Sequence, residues 1–283
     1  MIKPVLQDDA FLADVQATKG ERDHFNLWWL GQSGFLLQWN GRHLLFDPYL
    51  SDSLTKKYAG TDKPHVRMTA RVIAPERLTF VDLVTSTHNH TDHLDTETLV
   101  PLMKGNPNMD LVIPEANRVF VADRLKTMVE FPLGLDSGRH TIVKGFDIHG
   151  VPAAHETLER DEQGRCKFLG YVVQFGGWTV YHSGDTVRYP EMAGILKQFP
   201  IDVALLPING AKPERRVAGN LDGREAAQLG KDIGTRMVIP CHFEMFEFNT
   251  ATTHDFITRA RELDVPHRVL RAGERWSSRE LPV

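Results

Sequence analysis

The sequence predicts an α/β fold, a four-layer αββα sandwich built from two similar halves, on three observations taken in chain order. Gly34 to Leu45 (GFLLQWNGRHLL) resembles Gly170 to Tyr181 (GYVVQFGGWTVY) position by position. Each reads as a hairpin: an apolar strand, a two-residue turn that tolerates positive φ (Asn40-Gly41, Gly176-Gly177), and a second apolar strand. Val81-Asp82-Leu83-Val84 then matches Ile201-Asp202-Val203-Ala204, and Leu111-Val112-Ile113-Pro114 matches Met237-Val238-Ile239-Pro240. Three matches in one order describe a duplicated plan, and strands alternating with helices in each half lead to two sheets packed face to face with helices outside.

The helices have local signals of their own. Asp222 and Glu225 form a capping-box pattern ahead of Ala226, Ala227 and Leu229. Thr253 to Leu263 reads as a helix with Phe256, Ile257, Ala260 and Leu263 on one face. No Gly/Ser linker divides the halves, so residues 1–283 are expected to form a single domain with 1–23 as an N-terminal extension. Lys3, Asp8, Asp9, Asp14 and Lys19 interrupt that extension too often for a signal peptide, and no run approaches the ~18 apolar residues of a membrane span. Cytoplasmic residence without a membrane partner is the expectation. A net charge of -4 gives no electrostatic footprint for nucleic acid, and Cys166 and Cys241 are too few to be a disulfide framework.

The chemistry concentrates in Val81 to Asp95 (VDLVTSTHNHTDHLD), where an apolar strand runs directly into His88, His90, Asp92 and His93. Extended backbone puts His88 and His90 on one side, and a turn brings Asp92 and His93 back toward them. Imidazoles and a carboxylate converging at a strand end suit a borderline divalent ion such as zinc, manganese or iron. A site closed by these four alone would be structural, and catalysis needs an open position for water, so further ligands are sought elsewhere.

At this point the chain resembles the metallo-β-lactamase superfamily. Its HxHxDH signature is filled by His88, His90, Asp92 and His93, and the later family positions by His155 (VPAAHET), Asp185 (YHSGDT) and His242 (VIPCHF), each after an apolar strand. The resemblance covers Trp29 to Trp276 and implies the same duplicated sandwich. It implies that His88, His90 and His155 bind one ion, that Asp92, His93 and His242 bind a second, and that Asp185 bridges them. One or two ions, Mn or Zn with Fe as an option, would lower the pKa of a bound water toward ~7 for attack on a carbonyl or phosphoryl centre. Asp92 or Asp185 would steer that water and relay its proton.

Trp28-Trp29-Leu30-Gly31, Tyr181 to Asp185, Ile201 to Leu205 and Val238 to His242 also look like the L-ascorbate-6-phosphate lactonase branch, which implies opening of a lactone, a small sugar-acid substrate and an oligomer. The chain departs from that branch in being shorter and in carrying its own loop, Asn209 to Gly219. There Asn209, Gly210, Lys212 and Arg215 are the expected substrate contacts, with Arg216 as a further cation; Lys56, Lys57, Lys63 and Arg67 form a second cationic cluster able to hold a phosphate. His182 is expected to orient a metal ligand, Asp47 to hydrogen-bond a metal-bound histidine, and Cys241 to point away from the ions. Phosphodiester hydrolysis is the alternative activity. An iron redox enzyme is the rival from another class; relatives with a diiron electron-transfer site carry glutamate where this chain has His90.

Overall fold

The computed structural model describes residues 1–282. In chain order the strands are β1 (Phe25–Gly31), β2 (Gly34–Trp39), β3 (Arg42–Phe46), β4 (Leu83–Thr85), β5 (Asp110–Pro114), β6 (Leu133–Leu135), β7 (His140–Val143), β8 (Phe146–Pro152), β9 (Leu169–Phe175), β10 (Trp178–His182), β11 (Val203–Pro207), β12 (Met237–Cys241) and β13 (Arg275–Ser277). The helices are α1 (Asp8–Ala17), α2 (Ser53–Lys57), α3 (Thr96–Gly105), α4 (Arg118–Leu125), α5 (Met192–Leu196), α6 (Gly223–Ile233) and α7 (His254–Glu262). One sheet has the order β13-β1-β2-β3-β4-β5-β6 and the other β12-β11-β10-β9-β8-β7.

The duplication is visible in the pairing. Each half has an antiparallel hairpin (β2-β3, β9-β10) followed by two parallel strands (β4-β5, β11-β12). Leu44 pairs Leu83 in the first half as Val180 pairs Val203 in the second. The hairpin turns have positive φ at both central residues, 49° and 73° at Asn40-Gly41 and 52° and 84° at Gly176-Gly177, which matches the right-handed strand twist. Gly176 is also obligatory sterically, because a Cβ there would lie 2.3 Å from the Trp39 ring. The third sequence match slips by one residue: Val84 pairs Leu111 while its equivalent Ala204 pairs Val238, so Leu111 corresponds to Val238 and not to Met237. Two apolar quartets align equally well in neighbouring registers, and only strand pairing separates them.

Strands covered on both faces read as unbroken apolar runs. Alternate residues of β1 go to opposite faces: Leu27 and Trp29 enter the core between the sheets, where they join Phe35, Tyr171 and Val173, while Trp28 and Leu30 enter an outer core. That outer core includes Phe11 and Val15 of α1, Leu99 and Leu102 of α3 and Val121 of α4. The N-terminal segment is thus packed onto the first sheet, with Trp28 Nε1 donating to Asp14 at 2.8 Å. On the other side α6 and α7 cover the second sheet through Ala226, Leu229, Ile233 and Phe256. Asp222 caps α6 in a capping box with Glu225. Among the described residues no helix is long and apolar enough to cross a membrane.

Candidate metal centre

The chemistry-bearing side chains sit where strands of both sheets end. β4 stops at Thr85, and Ser86 Oγ donates to the His88 carbonyl at 2.9 Å. One helical turn, with Leu94 N donating to the His90 carbonyl at 2.8 Å, returns Asp92 and His93 toward His88. His155 follows β8, Asp185 follows β10 and His242 follows β12. Gly184 lies so close to Thr87 that an added Cβ would meet the Thr87 Cβ at 2.6 Å, which brings Asp185 against the first half. His242 has φ of 61°, costly for a side chain of this kind and tolerated at functional sites.

Two groups of donors result. His88, His90 and His155 offer ligand atoms within 4.8 Å of one another, and so do Asp92, His93 and His242. Asp185 stands between them: Oδ1 is 3.3 Å from His93 Nε2, and Oδ2 is 3.3 Å from His242 Nε2 and 3.6 Å from His155 Nε2. Ligand atoms about 2.0–2.2 Å from a common ion are roughly 3.0–3.6 Å apart, so these spacings fit metal coordination. The Nδ1 atoms of three histidines are bonded away from the centre, His88 to Thr87 Oγ1 (3.1 Å), His93 to Asp47 (2.6 Å) and His155 to the Gly219 carbonyl (2.9 Å). That tautomer leaves Nε2 facing inward, and the buried Nε2 atoms of His88 and His93, with Asp185 Oδ1, have no hydrogen-bond partner. Buried polar atoms without partners, aimed at one point, are what a cation would satisfy.

Electrostatics agree. Burial, aided by the neighbouring imidazoles, holds His88 well below the usual histidine range, and burial also lowers His90, so both are neutral donors. Burial would raise Asp92 and Asp185, yet the adjoining His93 and His242 outweigh it and keep both carboxylates ionised. In return, despite burial, Asp185 and Asp92 push His93 well up and His242 up to about 9.

Asp47 lies at the buried base of the group, bonded to His93 Nδ1 and to Thr87. By strand register its counterpart in the second half is Ser183, two residues before Asp185. His182 does not reach a ligand: its Nε2 donates to the Ser33 carbonyl at 2.8 Å, and its ring stacks on Phe46. Cys241 and Cys166 are buried and free. His140, Asp147 and His149 form a separate group on the β7-β8 hairpin.

A cavity of about 370 Å³ opens over His90 and Asp92, an ordinary size for a small-molecule site. The four expected substrate contacts do not line it. Asn209 is buried and bonds Asn249 and Asn220, and Arg215 is tied to the Asn209 carbonyl and to Asn249 and Thr250; Gly210 packs on Asp222, and Lys212 faces an adjoining hollow. The loop folds back on itself because its backbone and amides satisfy one another, and only Val217 and Ala218 reach the cavity. The second cationic cluster divides. Lys56 pairs with Glu97 and Arg67 with Asp52, whereas Lys57 and Lys63 line the cavity with Arg124. Sequence reasoning missed His65, which stacks on Tyr58 at 4.3 Å and meets Phe246 and Phe248 edge-on, forming an aromatic wall. It also overlooked Gln32, whose amide reaches Asp92 and His242. A polar Gln-Ser pair between two buried strands was the available signal.

An αββα sandwich with paired His/Asp groups at its strand ends defines a class, and comparison with known proteins places the chain in it. Residues 26–242 match the family described as Beta-lactamase superfamily domain. A UPF0173 metal-dependent hydrolase of Archaeoglobus fulgidus is 30% identical over 252 residues, 87% of this chain and 96% of that protein. The chain therefore belongs to the metallo-β-lactamase superfamily and, within it, to the UPF0173 metal-dependent hydrolases. Among solved structures, the metallo hydrolase Igni18 of Ignicoccus hospitalis superposes with a TM-score of 0.65 at 23% identity, covering 90% of this chain and 98% of that one. CmlA, a diiron β-hydroxylase of Streptomyces venezuelae, has a TM-score of 0.66 at 16% identity, covering 91% of this chain and 54% of that one. These two likenesses concern the fold alone.

Proposed function

We propose that the protein hydrolyses a small anionic substrate at a carbonyl carbon, a phosphorylated sugar lactone being the first choice, with Mn or Zn at the centre. The observation that carries this reading is the cavity wall: Lys57, Lys63 and Arg124 supply three cations beside the donor groups, and the only carboxylates among its described lining residues are Asp92 and Asp185. Three cationic residues lining one opening, with Lys63 also donating to the Arg216 carbonyl and Arg124 to the Asn89 and Leu94 carbonyls, favour a phosphate or carboxylate on the substrate. His65, Tyr58 and Phe246 would hold the apolar side of the ring and exclude water. When bound, the divalent ions supply Lewis acidity and lower the pKa of a coordinated water. Asp92, largely buried but lining the cavity, is placed to accept and pass on a proton, and the buried Asp185 spans the two donor groups.

The test is turnover by metal-stripped protein reloaded with manganese, zinc or iron, on phosphorylated and unphosphorylated lactones beside phosphodiesters, with Asp185→Asn as control. Metal-dependent lactone opening, faster with the phosphorylated substrate and lost in the control, is expected. Turnover of phosphodiesters alone would replace the carbonyl centre by a phosphoryl one on the same cationic wall. Oxidation with iron and no hydrolysis would overturn the reading.

A further inference from the structure

The turn between β1 and β2 carries Gln32, a residue no part of the proposed chemistry uses. It is buried, 1% exposed, and its φ of 50° is the left-handed conformation that a glutamine rarely adopts. Its position is determined from both sheets. The Gln32 carbonyl accepts from Trp29 Nε1 at 3.0 Å and from the backbone N–H of His242 at 2.9 Å, while His182 holds the next carbonyl, that of Ser33. The strained turn therefore aims one side chain at one place. Gln32 Nε2 donates to Asp92 Oδ2 at 2.8 Å and lies 3.1 Å from His242 Nε2. The other end of the amide, Oε1, is buried and has no partner.

These distances place the end of the amide in the same polygon as the metal-type donors. Around Asp92, His93, Asp185 and His242 the neighbouring donor atoms are 3.3–3.6 Å apart, and Gln32 adds another vertex at similar spacing. An amide nitrogen has no lone pair to give a metal, but an amide oxygen has two, and the two ends have nearly the same shape. Rotation about the terminal torsion, which has broad minima, exchanges them without moving the turn. N–H inward suits the Asp92 carboxylate when no cation lies between them; the unpartnered oxygen inward suits a cation.

We propose that Gln32 is an additional ligand of the second ion, binding through Oε1 beside Asp92, His93, Asp185 and His242. A carbonyl-type oxygen added to two carboxylates makes this half of the centre oxygen-rich and shifts its preference toward manganese, while the three imidazoles of the other half suit zinc.

The experiment is metal binding alone, so it stands or falls separately from the choice of substrate. Stripped native protein, Gln32→Leu and Gln32→Glu are titrated with Mn²⁺ by calorimetry, with Mn²⁺ paramagnetic resonance reporting the bound ions. An oxygen ligand predicts that Gln32→Leu binds the second Mn²⁺ at least 10-fold more weakly, while Gln32→Glu, which keeps an oxygen there, binds it as tightly as native protein or tighter. If Gln32 serves only as an N–H donor to Asp92, the glutamate variant loses the second ion as well, and the proposal fails. It fails equally if the leucine variant keeps native affinity. Unfolding of the leucine variant would leave the glutamate variant to decide, through the same gain or loss of Mn²⁺ affinity.

Discussion

The two donor groups differ in how they balance charge. His88, His90 and His155 are three imidazoles under an aromatic lid, Phe168, and burial keeps His88 and His90 neutral. Asp92, His93 and His242 contain a carboxylate, rest on Asp47 through His93, and share Asp185 at short range. Without a cation the second group is a closed ionic cluster in which His93 and His242 carry the protons that the carboxylates demand. Similar ligand types therefore bind by different exchanges: the first group offers free lone pairs, and the second must release protons before it can ligate.

The largest effect should come from what joins the groups. Asp185→Asn removes one full charge from between them, and turnover is expected to fall on the order of 10³-fold or more with loss of bound metal, measured by kcat and metal content. Retained kcat would mean that the groups work independently. Next, Asp47→Asn should weaken metal binding at the second group by roughly 10- to 100-fold and at the first by clearly less, because Asp47 bonds His93 itself but reaches His88 only through Thr87 Oγ1. Equal weakening in both would remove the distinction between them.

A smaller effect concerns substrate. Lys57→Ala or Lys63→Ala should raise KM several-fold for an anionic substrate, with little change in kcat and less salt dependence, while Lys56→Ala, paired with Glu97 outside the cavity, should do neither. The smallest is a stability trend in the metal-free protein. His242 is raised to about 9 in the folded state, so its contribution is complete below the ordinary histidine value of about 6.5 and is lost as pH rises through 9. Thermal melting of stripped protein should drop by roughly a few degrees from pH 6.5 to 9, and added metal should abolish the trend.

The contrast between the groups also explains what could be read from sequence. Four donor residues within six positions after an apolar strand leave few other interpretations, and the duplicated hairpins carry their own turn chemistry at Asn40-Gly41 and Gly176-Gly177. Contacts made across the sheets left no such pattern. Gln32 meets His242 only because the β1-β2 turn touches the end of β12, 210 positions away. His65 and Phe246 form one wall from distant loops. Charge alone could not rank the two cationic segments: Arg215 spends its guanidinium on carbonyls and an amide within its own neighbourhood and does not line the cavity, whereas Lys57 and Lys63 line it, Lys63 with its Nζ on the Arg216 carbonyl. Sorting them needed the partners of each side chain.

The difference between the two halves is tested most directly by stepwise calorimetric titration of stripped protein with zinc at pH 7, in two buffers of different ionisation enthalpy. Two binding steps are predicted, one releasing more protons than the other by one to two, in keeping with His93 and His242 titrating above neutrality. A single step, or two steps with the same proton count, would contradict the asymmetry between the groups.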